Sequence, residues 1–313
     1  MKVLLTTTSF QDTPGKHQDL LYAQGFEIET MRGPLKAEEL LPVIDKFDAL
    51  LCGDDELNAQ VLEKGKAGRL KYISKYGVGL DKIDLEAAKR LGIQVTNCPG
   101  VNSRAVAEHV MALMLCFYRH IHLEYNITKA GKWVRYVGHE VQGKTAGILG
   151  LGAIGKETAA LLKAFGLNVK VYDIQIDKNF VETHNLVVAD SLTDLLRGID
   201  VLSLHLPLTP QTQNIINIEL LKAANQAGLL LINTARAGLV SNETIIQALN
   251  EDILAGYCTD VLDEEPMPPN HPLKALDRVI ITPHIGSRTF QSVERQGLMA
   301  VNNLLRMIQE GNA

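Results

Sequence analysis

The sequence is poor in the groups that would make it a disulfide scaffold or a zinc protein. Its 313 residues include four cysteines, Cys52, Cys98, Cys116 and Cys258, widely scattered and with no CxxC pair. That spacing supports neither a disulfide framework nor a zinc site, so no metal is expected, and the thiols read as buried groups in a reducing compartment. Aromatic residues make up 5% of the chain, and Trp133 is the single tryptophan. It reads equally as a packing anchor or as a border to a partner. There is no polybasic segment, and the net charge of −5 gives no electrostatic reason to expect nucleic acid or an anionic membrane surface as a partner. Long apolar runs are missing too. The most apolar helical stretch, Val106 to Tyr118, is too short to span a bilayer and has Glu108, His109 and Arg119 in or beside it. The opening segment MKVLLTTTSF has too short an apolar run for a signal peptide and reads as a first strand, so the expected compartment is cytoplasmic. No repeat of fixed period and no low-complexity segment is present.

What the chain does have is alternation. Short apolar runs alternate with helix-length amphipathic runs, the pattern of parallel sheets with helices on both faces. The length suggests two domains. In the first third the expected strands are Val3–Thr7, Phe26–Met31, Ala49–Cys52, Tyr72–Lys75 and Gln94–Thr96, with helices at Asn58–Lys66 and Leu85–Leu91. A long helical pattern follows from about Asn102 to Ala130, with Val106, Val110, Leu113 and Phe117 on one face. A second alternating block has expected strands at Ala146–Leu149, Val169–Tyr172, Val187–Val188, Val201–Leu204, Leu229–Asn233, Gly256–Asp260 and Val279–Thr282. The last helix is expected from about Ser287 to Gln309, where it could return to the first domain.

The segment Gly150-Leu151-Gly152-Ala153-Ile154-Gly155 lies between an apolar strand and a helix. Gly150 permits a tight turn, Gly152 lets the backbone approach a pyrophosphate, and Gly155 lets the helix pack on the strand. The helix start offers unpaired N–H groups and a positive dipole end. A lone GxGxxG is weak, but here a second strand ends at Asp173, 23 residues after Gly150. That is close to the interval at which a carboxylate accepts hydrogen bonds from the adenosine ribose. Asp173 would repel a ribose 2′-phosphate, and no Arg stands beside it in Ile174-Gln175-Ile176-Asp177, so NAD is favoured over NADP.

Three polar segments fall near expected strand ends, where α/β sheets place ligands: Asn233 to Gly238, Asp260 to Pro266, and Thr282 to Gly286. Hydride transfer involving a 2-hydroxy acid needs a cation for the carboxylate, a base for the hydroxyl proton, and a carboxylate that orients the base. Arg236, His284 and Glu265 supply one each. A neighbouring carboxylate favours the imidazolium, which can donate to a forming alkoxide, and the neutral ring can take the proton back. Of the other histidines, His109, His120, His122, His139, His184 and His271 read as ordinary polar residues. His205 ends a strand beside Pro207, where it could approach a cofactor or simply pack.

With these segments in place, the sequence resembles the D-isomer-specific 2-hydroxyacid dehydrogenases over nearly its whole length, and looks most like the phosphoglycerate dehydrogenase branch. The matching segments include Lys75-Tyr-Gly-Val-Gly-Leu-Asp81, Asn97-Cys-Pro-Gly, Val106-Ala-Glu108-His, Gly131-Lys-Trp133, the phosphate loop, His205-Leu-Pro207-Leu-Thr-Pro210-Gln-Thr212 and the three polar segments. The resemblance implies two Rossmann-like doubly wound parallel-sheet domains: a flavodoxin-like substrate domain from 1–100 and 285–313, and an NAD-binding Rossmann domain at 101–284, with the active site in the cleft. The long helix at about 102–130 would build a homodimer through the NAD-binding domain. Arg236 would clamp the substrate carboxylate and carbonyl, and the backbone N–H groups of Gly77, Val78 and Gly79 would hold the carboxylate's other side. Asp260 would lie near the nicotinamide. Ala153, Ile154, Thr234, Ala235 and Gly286, with Pro207 or Thr212, would line the NAD site.

One segment departs from the pattern. Phosphoglycerate dehydrogenases generally carry an Arg for the substrate phosphate in the loop after the third strand. Here that loop reads Cys52-Gly53-Asp54-Asp55-Glu56, with Asp54 at or near the Arg position. An acidic triplet would repel a phosphate unless it points away. Two substrate classes therefore stay open: 3-phosphoglycerate, held by another cation such as Lys75, or an unphosphorylated acid such as glyoxylate or hydroxypyruvate. The chain stops at Ala313, so serine feedback through a C-terminal regulatory domain is not expected. A reading from another class is an NAD-sensing protein that recruits partners without turnover.

Overall fold

The computed structural model describes residues 1–223 and 228–311. Residues 224–227, inside the expected NAD-binding domain, and 312–313, at the end of the expected substrate domain, lie outside the described residues. The chain divides into two compact units, one of Met1–Asn102 with Arg288–Ala313 and one of Ser103–Ser287.

The first unit is built on a five-stranded parallel sheet in the order β2-β1-β3-β4-β5. Its strands are β1 (Lys2–Leu5), β2 (Glu27–Thr30), β3 (Ala49–Cys52), β4 (Tyr72–Lys75) and β5 (Gln94–Thr96). The order reverses between β1 and β3, the flavodoxin-like arrangement. Both faces are covered, so neighbours along a strand go to different cores. Leu4 and Leu50 join one hydrophobic cluster, and Leu5 and Leu51 another. This is why these strands read as continuous apolar runs rather than alternating ones. The C-terminal helix Phe290–Gly311 closes one face, with Ala300, Val301, Leu304 and Met307 buried and the Ala300 carbonyl accepting from Ser74 Oγ at 2.7 Å. Asn58 and Asp84 cap the helices Ala59–Ala67 and Leu85–Leu91 through their side-chain oxygens.

The second unit is a seven-stranded parallel sheet in the order β12-β11-β10-β9-β6-β7-β8. The strands are β6 (Thr145–Leu149), β7 (Asn168–Tyr172), β8 (Val187–Val188), β9 (Val201–Leu204), β10 (Leu229–Asn233), β11 (Leu254–Thr259) and β12 (Val279–Ile281). The chain leaves β6 toward β7 on one side and returns to β9 on the other, so a topological switch point opens at the carboxyl ends of β6 and β9. In β10, Leu230 and Ile232 face one core while Leu229 and Leu231 face the other. Burying each such side chain contributes about 1.5–3 kcal/mol.

Four local expectations need correction. The single helical pattern at 102–130 is two helices, Ser103–Tyr118 and Ile121–Lys129. The break has a cause: the Tyr118 carbonyl accepts the His139 N–H at 2.9 Å, and His120 turns left-handed at φ 53°. β1 ends at Leu5, and the next residue, Thr6, donates its hydroxyl to Asp55 at 2.5 Å. The last helix starts at Phe290 rather than Ser287. Cys116 is only half-buried. Cys52, Cys98 and Cys258 are buried, and burial pushes the Cys52 thiol up to about 12 and the Cys98 thiol up to about 11, so both are inert thiols. Among the described residues no helix is long and apolar enough to cross a membrane.

Candidate active site

The phosphate loop leaves β6 at the switch point and enters the helix Ala153–Ala164. Gly150 has φ +98°, and a Cβ there would lie 2.7 Å from the His205 carbonyl oxygen. A Cβ at Gly155 would collide with the Gly150 carbonyl oxygen, so the helix approaches the loop as closely as its backbone permits. Gly152 has open space where a Cβ would stand. It caps the helix without a side chain, leaving the first-turn N–H groups of Ala153, Ile154 and Gly155 without intrahelical acceptors. Tight turn, open face and close packing thus fall at the three glycines as their spacing requires. Replacing Gly155 with alanine is expected to weaken NADH binding about tenfold or more, a loss of roughly 1.4 kcal/mol. The obstacle is a backbone oxygen that cannot rotate away. Isothermal titration of NADH checks this, and an unchanged Kd would refute it.

Asp173 follows β7 directly. Its Oδ2 accepts the Leu151 N–H of the loop at 2.6 Å, and its Oδ1 accepts the Gln175 N–H at 3.0 Å. Each oxygen keeps lone-pair capacity for a ribose hydroxyl. His205 ends β9, and its Nε2 pairs with Ser203 Oγ at 2.9 Å. Desolvation pushes its pKa down to about 3, so the ring is neutral. The next loop is tied to itself: Thr212 Oγ1 donates to the Pro207 carbonyl at 2.6 Å.

The three polar segments sit at the carboxyl ends of adjacent strands. After β10, buried Asn233 staples the turn, its Oδ1 accepting from Ala235 N at 3.0 Å and its Nδ2 donating to the Arg236 carbonyl at 2.9 Å. Thr234 Oγ1 is buried with no protein hydrogen-bond partner. The Arg236 guanidinium is half-buried and donates to the Ala235 carbonyl at 2.8 Å. Directly after β11, buried Asp260 accepts Ile285 N at 2.9 Å on Oδ1 and Gly286 N at 2.7 Å on Oδ2. Burial alone would raise its carboxyl pKa, but bonds from His109, Thr282 and these two amides outweigh that and hold it below the usual range.

After β12, His284 stands at φ +53°, a conformation costing an L-residue roughly 1–2 kcal/mol. Its Nδ1 meets Glu265 Oε2 at 2.8 Å, while Glu265 Oε1 accepts the Leu262 N–H at 2.9 Å. The carboxylate is therefore oriented from behind and the imidazole from the carboxylate. Both side chains are about one-third exposed.

Residues 111–286 match the family described as D-isomer specific 2-hydroxyacid dehydrogenase, NAD binding domain. The chain belongs to the D-isomer-specific 2-hydroxyacid dehydrogenases. It is 40% identical over 290 residues to a glyoxylate reductase of Thermofilum pendens, covering 90% of this chain and 84% of that one. It is 37% identical to a D-3-phosphoglycerate dehydrogenase of Methanocaldococcus jannaschii, covering 90% of this chain but only 54% of that one. The apo D-lactate dehydrogenase of Escherichia coli superposes with a TM-score of 0.86 at 28% identity, covering 99% and 98% of the two chains. Family membership makes the chain an NAD-dependent oxidoreductase acting on a CH–OH group. The open face at Gly152, the first-turn amides and the free valences of Asp173 fit a dinucleotide.

Two histidines of the second unit that read as ordinary polar residues, His109 and His271, bond to residues of the polar segments. His109 Nε2 lies 2.9 Å from Thr282 Oγ1 and 3.4 Å from Asp260 Oδ1. His271, nearly buried, accepts the Leu273 N–H on Nδ1 at 3.3 Å, so Nε2 carries the proton and donates to Asp263 Oδ1 at 2.8 Å. This second histidine–carboxylate pair braces the segment that bears Glu265. The partners of His109 lie on other elements, so its spacing does not mark it.

In the first unit, Gly77 has φ +127°, and the loop after β4 is tied back through its carbonyls. Cys98 N donates to the Gly77 oxygen at 2.8 Å and Asn97 Nδ2 to the Val78 oxygen at 2.7 Å. The acidic triplet is not a repulsive patch. Asp55 is fully buried and accepts from Thr6 Oγ1, Leu35 N and Gly53 N at 2.5, 2.7 and 3.0 Å. Glu56 accepts Ala37 N at 3.2 Å. Asp54 pairs with the buried Lys75, whose ammonium is 2.5 Å from both Asp54 Oδ1 and the Gly53 carbonyl.

Proposed function

We propose that the chain interconverts a small unphosphorylated 2-keto acid and its 2-hydroxy acid, with glyoxylate or hydroxypyruvate as the preferred keto substrate. NAD(H), when bound, supplies or accepts the hydride at C2. Arg236 binds the substrate carboxylate and carbonyl, and the peptide N–H groups at Gly77, Val78 and Gly79 also serve the carboxylate. Protonated His284 donates to the developing alkoxide in reduction, and the neutral ring removes the hydroxyl proton in oxidation. Glu265 holds the ring in the tautomer that leaves Nε2 toward the substrate. The backbone at Ala153, Ile154, Thr234, Ala235 and Gly286, with Pro207, Thr212 and His205 beside the loop, borders NAD, and Asp260 lies toward its nicotinamide end.

The observation that carries the substrate class is the Lys75–Asp54 pair. Lys75, the cation considered as a phosphate holder, is buried, and its ammonium is already bonded to a carboxylate and a carbonyl. A phosphate would have to displace the half-exposed Asp54 from an ammonium that also donates to the Gly53 carbonyl, and would meet the negative charge of that carboxylate. The test is a steady-state panel with NADH. Glyoxylate or hydroxypyruvate is expected to exceed phosphohydroxypyruvate in kcat/KM by about tenfold or more, roughly 1.4 kcal/mol in the transition state. Preference for phosphohydroxypyruvate would overturn the substrate class. Inactivity toward every acid with intact NADH binding would favour a sensing role instead.

A cytoplasmic homodimer is part of the proposal. The dimer is supported by the exposed apolar side chains of Ile121, Tyr125, Trp133 and Val137 on and after the helix Ile121–Lys129.

A further inference from the structure

Asp260 is bonded in a way that its place near a cofactor does not require. Both carboxylate oxygens are spent on the two peptide N–H groups that follow His284, at 2.9 Å for Ile285 and 2.7 Å for Gly286. The carboxylate thus spans the backbone just beyond the left-handed residue. Thr282 braces the same turn from the other end. Its carbonyl accepts the His284 N–H at 3.0 Å, and its hydroxyl donates to Asp260 Oδ1 at 2.5 Å.

A threonine hydroxyl has one proton. Given to Asp260, it leaves the Thr282 oxygen to accept, so the donor at 2.9 Å must be His109 Nε2. Donation therefore runs from His109 through Thr282 to Asp260, which also accepts from the backbone N–H groups of Ile285 and Gly286. His109 sits on the helix Ser103–Tyr118, and its side chain is largely buried. Gly286 completes the fit, for a Cβ there would press on Asp260 Oδ2 at 3.0 Å and on the His109 ring at 3.6 Å.

We propose that His109 and Thr282 are positioning residues for His284: acting through Asp260, they lock the left-handed turn that aims the imidazole at Glu265. The consequence for turnover rests on the reading of His284 as the acid–base group, while the consequence for ring position does not. With His109 or Thr282 removed, Asp260 keeps its charge but loses the donors that orient it, and the turn gains freedom.

The experiment uses the full chain and the variants H109L, H109Q, T282V and T282S, with the ring nitrogens of 15N-labelled histidine observed by NMR. The His284 signals are assigned by their loss in H284A. In H109L and T282V the His284 ring signals are expected to shift or broaden. The kcat for the preferred keto acid is expected to fall by roughly 10- to 100-fold, the size of effect that a displacement of about 1 Å produces. The KM for NADH should change little. H109Q and T282S, which restore the N–H donor and the hydroxyl, should recover most of both readouts. T282V, nearly isosteric with threonine, carries the test if H109L does not fold. Unchanged His284 signals in folded H109L and T282V overturn the inference whatever the activity. If H284A itself keeps full activity while the His284 signals move in H109L, the acid–base reading falls and the positioning role stands.

Discussion

In the H284A variant, kcat for keto-acid reduction is expected to drop by roughly 10²- to 10⁴-fold, the range contributed by a positioned general acid–base group. NADH binding should hardly change. The dinucleotide's phosphates and ribose are served by the loop Gly150–Gly155 and by Asp173, whose bonds to Leu151 and Gln175 do not involve His284. The fold should survive too, because the turn at residues 282–286 is held by Asp260 through the main chain. Stopped-flow single-turnover rates with NADH, beside calorimetric Kd values, separate these effects. E265Q should lose less than H284A, since a neutral amide can still accept at Nδ1 but stabilises the imidazolium poorly. A kcat within a few-fold of wild type in H284A would remove the residue from the mechanism.

Arg236 should produce the second large loss. In R236Q, kcat/KM for the keto acid is expected to fall by roughly 30- to 1000-fold, or about 2–4 kcal/mol, the cost of truncating one partner of a desolvated charge pair. The effect should appear in KM as well as kcat, because the carboxylate is bound in ground and transition states alike. Local structure should persist, since the Arg236 carbonyl is held by Asn233 Nδ2 and the preceding amide by Asn233 Oδ1. R236K should recover only part of the loss, because an ammonium cannot make the planar bidentate contact. Oxamate, a keto-acid mimic, should lose affinity for R236Q in parallel. Equal kcat/KM in wild type and R236Q would refute the assignment.

The legibility of the site differed from residue to residue. Gly150, Gly152, Gly155 and Asp173 are close in sequence and obey one local rule, strand to loop to helix to strand, so their placement around one loop follows from spacing. Arg236, Glu265 and His284 are far apart, yet each follows an apolar strand, and parallel sheets bring strand ends together. His109 reads as an ordinary polar residue because its partners come from other elements. His109 meets Thr282 across 173 residues. The partners of the acidic triplet were hidden for the same reason. Read as adjacent charges, Asp54, Asp55 and Glu56 make a repulsive patch. Folded, Asp55 is buried among three donors, Glu56 accepts a backbone amide, and Asp54 pairs with Lys75.

The helix boundary at residue 118 shows the limit of periodicity. The apolar face of the 102–130 pattern continues past Tyr118, so nothing local announces a stop. The helix ends because the His139 N–H takes the Tyr118 carbonyl, a competitor 21 residues downstream.

By itself, then, the sequence determined the fold class, the phosphate loop with its acidic partner, and the arginine, glutamate and histidine at the strand ends. These rest on short-range geometry and on burial of both faces of a sheet, which leave their period in the chain. Only the tertiary structure decided which carboxylates are tied to backbone amides, that Lys75 pairs with Asp54, and that His284 stands in a left-handed turn gripped by Asp260. Those are properties of long-range hydrogen bonds and desolvation, and they exist only once distant strands have been brought side by side.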